Sequence, residues 1–414
     1  MKNNKAIIIT IGDELLIGQT IDTNSAWMAQ RLNEAGIEVI RRMAVGDIKD
    51  DIIHALKNAQ CDAGLVLLTG GLGPTADDIT KPLLCDYFGG KMVVDEKALE
   101  NVKKIFSRRN LPLLERNMRQ AEVPDNCIVL QNAKGTAPGM WFEKDGVVIV
   151  SLPGVPHEMM AIMEEGVLPR LHHHHSSEKI IHRHIMTAGL GESFLAERIA
   201  DIEASLPPYI RLAYLPANWI LKLRLTARGT DEAQLIAETE KYLQLIKERI
   251  PEYFITLKDE PFERILQKQF TQQHKTLALA ESCTGGYIGH TLTQVDGSSR
   301  YFMGSIVSYD ASVKSIVLNI PEQDILTEGE VSEAIARQMA ERVRHLLHTD
   351  IGFGITGWLS TGVPDAGTVW MAVTNGAKTF AKKYYFPYDR IRNKEIALQM
   401  ALLTIWKFIN EKNI

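Results

Sequence analysis

The heptapeptide AESCTGG, residues 280–286, sets two candidate nucleophiles side by side, Ser282 and Cys283. A serine or cysteine nucleophile needs a base, and no histidine lies within six residues of either. The base must therefore come from elsewhere in the fold. Adjacent residues at a sharp turn point in different directions, so only one of the pair can face a site. A cysteine nucleophile usually relies on a histidine or a strong dipole. The residue types thus favour Ser282, with Cys283 packed as a small apolar side chain. At a strand-to-helix turn the N–H groups of Thr284, Gly285 and Gly286 could form an oxyanion hole, which is the chemistry of acyl transfer. Glu281, next in line, is either an orienting carboxylate or a satisfied polar residue.

A second constellation is TGGLGPTADDIT (69–80), directly after an apolar run. Gly70, Gly71, Gly73 and Pro74 make a tight turn into Thr75 whose N–H groups can approach an anion, and the following helix adds its positive end. Asp77 and Asp78 sit in the first turn of that helix. Carboxylates beside a phosphate make sense with a divalent cation between them; the plainer reading is a structural turn with two helix-capping acids. Asp13 and Glu14 in IGDELL (11–16), Asp47 in VGD (45–47), GTAPG (135–139) and Gly154 in LPGVPHE (152–158) converge on the same edge. Near the end of the chain, FPYDRIRNKE (386–395) sets Arg390 and Arg392 at a helix start. They suit a substrate phosphate or a solvated charged helix start equally.

The elements that position these residues follow from periodicity. The first 170 residues alternate short apolar runs (6–12, 37–45, 63–71, 147–154) with amphipathic stretches, which predicts a parallel α/β sheet with helices on both faces. Ligands then bind at the carboxyl ends of the strands. The tract LHHHHSSEK (171–179) reads as a solvated linker rather than a metal site, because it lacks cysteine or carboxylate partners. Residues 176–252 follow a β-α-β-β-α order, with apolar helix positions at 194, 195 and 199, and predict a small α+β unit. Residues 258–414 return to layered α/β with a closing helix.

Length and composition bound the rest. The 414 residues include 46 basic and 51 acidic side chains, for a net charge of −5, so nucleic-acid binding has no electrostatic footprint. Four cysteines without framework or metal spacing fit a reducing compartment, and the location is read as cytoplasmic. The apolar stretch before Gly12 is too short for a signal segment or a membrane span.

The motifs IGDELLIGQTIDTNSAWMAQRL, VGD, TGGLGPTADDIT, GTAPG and LPGVPHEM resemble, in order and spacing, the N-terminal half of the competence/damage-inducible CinA family. That half is similar to molybdopterin-binding domains. The resemblance implies this fold for 1–170 and metal-dependent ADP-ribose pyrophosphatase activity, with Asp13, Asp47, Asp78 and Gly70–Thr75 at the binding positions and the three aspartates as tentative metal ligands. HRHIMTAGLGESFLAERI resembles the family's KH-like linker domain, but GLGES does not supply the GxxG loop that clamps nucleic acid. AESCTGG followed by VSYDASVK (307–314) resembles the family's nicotinamide-mononucleotide amidohydrolase domain, over nearly all of 258–414. There the resemblance implies Ser282 as nucleophile, Lys314 as base, Tyr309 as the hydrogen-bonding partner of Lys314, and no cofactor. The two catalytic units joined by a small one make a homodimer the expected assembly.

The resemblance breaks after GIT (354–356). The family's compact GIAGPxGG loop is replaced by GWLSTGVPDAGTVW (357–370), which keeps Gly357 and GTVW. The bulkier Trp358, Leu359, Ser360 and Thr361 are expected to fill part of the substrate pocket. The alternative function is then a non-catalytic nucleotide- or pterin-binding scaffold with a weakened amidase.

Overall fold

The computed structural model describes residues 4–412 apart from 76, 175–178, 218–219, 361 and 363–364. By compactness the chain divides into two units, one holding Met1–His182 with Thr226–Thr239, the other Arg183–Leu225 with Glu240–Ile414. Residues 176–252 contribute to both. Among the described residues no helix is long and apolar enough to cross a membrane.

The N-terminal sheet has six strands in the order Glu38–Val45, Lys5–Ile11, Leu65–Thr69, Val147–Leu152, Gly139–Lys144, Ile128–Leu130. The first four are parallel. The last two run antiparallel, which corrects the expectation of a parallel sheet throughout. The cause is local: Asp145 (φ 53°) and Gly146 (φ 76°) form a two-residue hairpin loop, the chemistry of an Asp-Gly primed turn. Side chains alternate into two cores, as strand geometry requires. Ile7, Ile9, Val66 and Leu68 enter one; Ala6, Ile8, Leu65 and Leu67 enter the other. Both faces are covered, so the strands read as continuous apolar runs.

The middle segment forms a four-stranded sheet in the order Ile210–Ala217, Ile220–Gly229, Lys179–Ala188, Phe254–Thr256. Of the helix positions expected to be apolar and inward, Leu195 and Ile199 are fully buried but Phe194 is exposed. The helix Leu168–His174 runs into the tract expected to be a linker, and residues 175–178 lie outside the described residues.

The C-terminal sheet has five strands in the order Phe302–Val307, Leu277–Glu281, Ile351–Gly357, Thr368–Thr374, Thr379–Tyr385. The first three are parallel and the last two antiparallel. The closing helix Arg390–Ile409 covers one face, against Leu277, Leu279, Phe353 and Ile355. The helix Glu333–Leu346 covers the other. Its backbone lies almost on the central strand: a Cβ on Gly352 would fall 2.1 Å from Ala340 O, and one on Gly354 would fall 2.5 Å from Ala336 O.

Candidate active site

Ser282 directly follows the strand Leu277–Glu281 and is 6% exposed. Its N–H donates to Ile355 O (3.0 Å), and the N–H of Ser308 donates to Glu281 O (2.8 Å), so the ends of three parallel strands are tied together at this residue. Gly285 (φ 60°) and Gly286 (φ 87°) take left-handed conformations that turn the chain into the helix Tyr287–Thr293. Of the three expected oxyanion donors, Gly285 is engaged already, because its N–H donates to Ser282 O (3.0 Å).

Glu281 is fully buried. Its carboxylate accepts from Thr284 Oγ1 (2.7 Å), Ser305 Oγ (2.8 Å), and the N–H groups of Gly289 (2.9 Å) and Ile288 (3.1 Å). Sequence reasoning left its role open; burial with four donors makes it the anchor of the nucleophile turn. Cys283 packs in the apolar core, and desolvation pushes its thiol up to about 12, against weaker opposing effects of Arg390 and Lys314.

Lys314 lies in the helix Ala311–Ile316 and is fully buried. Its Nζ has no hydrogen-bond partner and sits 3.6 Å from Glu330 Oε2. Tyr309 does not bond to it, contrary to expectation. The Tyr309 hydroxyl accepts instead from Arg390 Nη2 (2.9 Å), while Arg390 Nη1 donates to Ser360 Oγ (2.6 Å). Ser282, Cys283, Tyr309, Glu330, Gly357, Trp358, Ser360 and Arg390 line one cavity of about 260 Å³. Arg392 is not among its lining; it pairs with Glu395 (3.2 Å), as a solvated helix start would.

Described residues of the departing loop form part of this cavity's wall. Trp358, Leu359 and Ser360 all line it, and Leu359, at 1% exposure, also packs into the core. Thr361, Val363 and Pro364 lie outside the described residues. The buried Asn393, absent from the sequence reading, holds the loop: its Nδ2 donates to Leu359 O (3.1 Å) and Tyr388 O (2.7 Å), and its Oδ1 accepts from Tyr388 N–H (3.1 Å). Asn393→Ala should cost about 1–3 kcal/mol and loosen the wall carrying Trp358. Chemical denaturation checks the stability, and Trp358 fluorescence the loosening; an unchanged spectrum would remove Asn393 from this role.

In the N-terminal domain, Asp13 and Asp47 face one another: Asp47 Oδ2 accepts from Asp13 N–H (3.1 Å) and Asp13 Oδ1 from Asp47 N–H (3.2 Å). Asp78 does not join them. Its Oδ2 accepts from the N–H (2.9 Å) and Oγ1 (2.6 Å) of Thr75, capping its own turn beside Gly73 and Pro74. The exposed Glu14 folds back over Gly12. No group of three carboxylate, histidine or cysteine side chains is arranged to hold a metal among the described residues. The side chains thus do not fit the three-aspartate metal site expected from the sequence. Gly70 and Gly154 meet where their loops cross, and Asn24 Nδ2 donates to Gly154 O (2.7 Å) and Thr69 Oγ1 (3.3 Å), with its Oδ1 unpaired. Lys81, also missed, is buried under the same turn. Desolvation lowers its ammonium to about 8, against Glu122 and Asp78, and it donates to Gln120 O (2.8 Å).

Partial burial holds the Asp47 carboxyl above the usual range, and the charges of Asp13, Glu14 and Asp77 push the same way. A carboxyl raised in the folded state keeps its proton more tightly folded than unfolded, so its charge opposes folding above that raised value. Asp47→Asn should therefore stabilise the protein at neutral pH by about 0.5 kcal/mol, the scale of exposed charges. The gain should vanish as pH falls through the raised value. Urea unfolding at neutral and acidic pH tests this; a variant less stable at neutral pH contradicts it.

The fold and sites define a multidomain α/β protein with a buried serine lining a cavity at the carboxyl end of a mixed sheet. Three family models match in order: the probable molybdopterin binding domain over residues 7–173, the damage-inducible protein CinA KH domain over 182–256, and the CinA C-terminal domain over 259–409. A CinA-like protein of Flavobacterium psychrophilum is 42% identical over 414 residues, covering 98% of each chain. Another from Salinibacter ruber is 41% identical over 403 residues, covering 96% of this chain and 98% of its own. A solved CinA structure from Thermoplasma acidophilum is 35% identical, covering 40% of this chain and 96% of its own at a TM-score of 0.37. The chain belongs to the CinA family.

Proposed function

We propose that the Ser282 pocket hydrolyses the carboxamide of nicotinamide mononucleotide to nicotinate mononucleotide and ammonia. The observation that carries this reading is the charge arrangement around a buried serine. Among the described residues Arg390 bonds to the neutral hydroxyls of Tyr309 and Ser360 and to no carboxylate, so its cation at the cavity wall is available to a substrate phosphate. Burial of Lys314, whose Nζ makes no hydrogen bond among the described residues and lies 3.6 Å from Glu330, supports a role as base.

In the proposed reaction, Lys314 takes the Ser282 hydroxyl proton as Oγ bonds to the carboxamide carbon. N–H groups of the turn, with Gly285 already engaged, leave Thr284 and Gly286 to meet the oxyanion. The proton passes from Lys314 to the departing nitrogen as the C–N bond breaks, releasing ammonia. Water then attacks the acyl carbon with Lys314 again as base, freeing Ser282 and the carboxylate. Tyr309 positions Arg390 in this scheme. Ammonia and nicotinate mononucleotide should form in equal amounts; their absence with nicotinamide mononucleotide, at substrate levels well above millimolar, overturns the reading.

A second reading concerns the N-terminal domain: it binds ADP-ribose through Gly70–Thr75 and the strand-end loops. The crossing of Gly70 and Gly154 beside the unpaired Asn24 Oδ1 supports it. Calorimetric titration with ADP-ribose in the presence of a chelator should show binding, and no heat with or without divalent ions would remove it.

A further inference from the structure

A second cavity, of about 290 Å³, lies within the second compact unit and shares no residue with the Ser282 pocket. Gly189, Lys382, Tyr384, Met400, Leu403 and Lys407 line it. Its apolar side comes from Met400 and Leu403 of the closing helix and from Tyr384. That ring is fixed at both ends, by its hydroxyl 3.2 Å from Thr404 Oγ1 and by stacking on Phe386 at 6.0 Å between centroids.

Its polar side is cationic. Lys382 Nζ lies 5.7 Å from the centroid of the Tyr384 ring, and Lys407 Nζ lies 3.8 Å from where a side chain on Gly189 would begin. Among the described residues, the lysines paired with carboxylates are Lys49, Lys179, Lys222, Lys268 and Lys314. Lys382 and Lys407 are not. Burial lowers the Lys407 ammonium, and the charges of Lys382 and Lys412 lower it further. Lys412 is turned away to the carbonyls of Pro251 and Phe254. Exposed Lys382 and half-buried Lys407 thus flank an apolar wall, and neither pairs with a carboxylate among the described residues, so a bound anion adds a favourable charge interaction. Small-molecule pockets run from about 300 Å³ upward, so the occupant is small.

We infer that this cavity binds a small aromatic phosphate monoester, its dianionic phosphate between Lys382 and Lys407 and its ring against Tyr384, Met400 and Leu403. A phosphate monoester supplies the charge that two ammonium groups match, and a ring supplies the area that the wall presents.

Phenyl phosphate is the probe, read by amine acylation of the full chain with mass-spectrometric mapping of each lysine. Phenyl phosphate at millimolar concentration should slow labelling of Lys407 and Lys382 by about tenfold, with phenol and inorganic phosphate each protecting far less. Protection at Lys407 should be lost in Lys382→Gln and kept in Arg390→Gln, which removes the cation of the other pocket. Unaltered labelling of both lysines overturns the proposal, as does equal protection by inorganic phosphate. Protection that disappears in Arg390→Gln also overturns it, because the probe would then act from the Ser282 pocket. Circular dichroism of each variant confirms that lost protection is not lost fold.

Discussion

Ser282→Ala should lower ammonia release from nicotinamide mononucleotide by about 10³-fold or more, the scale seen when a nucleophile is removed from a hydrolase. The same change at its neighbour, Cys283→Ala, should leave the rate within a factor of about three and cost on the order of 1 kcal/mol of stability for the lost packing. The contrast rests on placement. Both side chains line the cavity with its cationic wall, but Ser282 directly follows the central strand whereas Cys283 also packs into the apolar core. The Cys283 thiol is desolvated and pushed up to about 12, so almost none of it is thiolate at neutral pH. Steady-state assays of both variants, with melting curves alongside, decide the matter. A Cys283→Ala protein that melts normally but releases no ammonia would reverse the assignment.

Glu281→Ala should be the most destabilising single change at this site, by about 3–5 kcal/mol. Two hydroxyls and two helix N–H groups converge on this fully buried carboxylate, and removing it leaves all four donors buried without an acceptor. Glu281→Gln keeps the shape and one acceptor oxygen but turns an NH₂ toward donors. It should cost roughly half as much, on the scale of about 1.5–3 kcal/mol for bonds to a charged group. Urea unfolding followed by tryptophan fluorescence measures both. If Glu281→Gln equals wild type in stability, the carboxylate is not the anchor described.

Much of this architecture was legible in the sequence because apolar periodicity reports burial directly. The strand ending at Glu281, the long helix preceding His348 and the closing helix all follow from it. The Asp145–Gly146 pair is a hairpin signal, but the strand Gly139–Lys144 before it has no alternating apolar pattern that marks it, since GMWFEK puts its apolar residues together. Side-chain partners were not legible. Tyr309 follows Arg390 rather than Lys314, Asp78 caps Thr75 rather than meeting Asp13 and Asp47, and Arg392 finds Glu395 one turn away. Each of these is settled by which polar atom a folded neighbour brings nearest, and spacing along the chain does not encode that. Trp358, Leu359 and Ser360 line the cavity, as bulky residues in a glycine-rich position suggest, but that Leu359 also packs into the core was not legible. Asn393 gave no signal because a lone asparagine in a charged helix start looks solvated.

The buried carboxylate at the end of the central strand has an electrostatic consequence. A helix start offers roughly half a positive charge to whatever lies before it, and in the helix Tyr287–Thr293 a resident anion already receives that charge through the N–H groups of Ile288 and Gly289. In the proposed reaction, negative charge developing at Ser282 is then met by the N–H groups of Thr284 and Gly286 and gains little from the helix dipole itself. In the proposed function, the attraction for an anionic substrate then comes from side-chain cations, and Arg390, paired with no carboxylate among the described residues, is placed at the cavity wall.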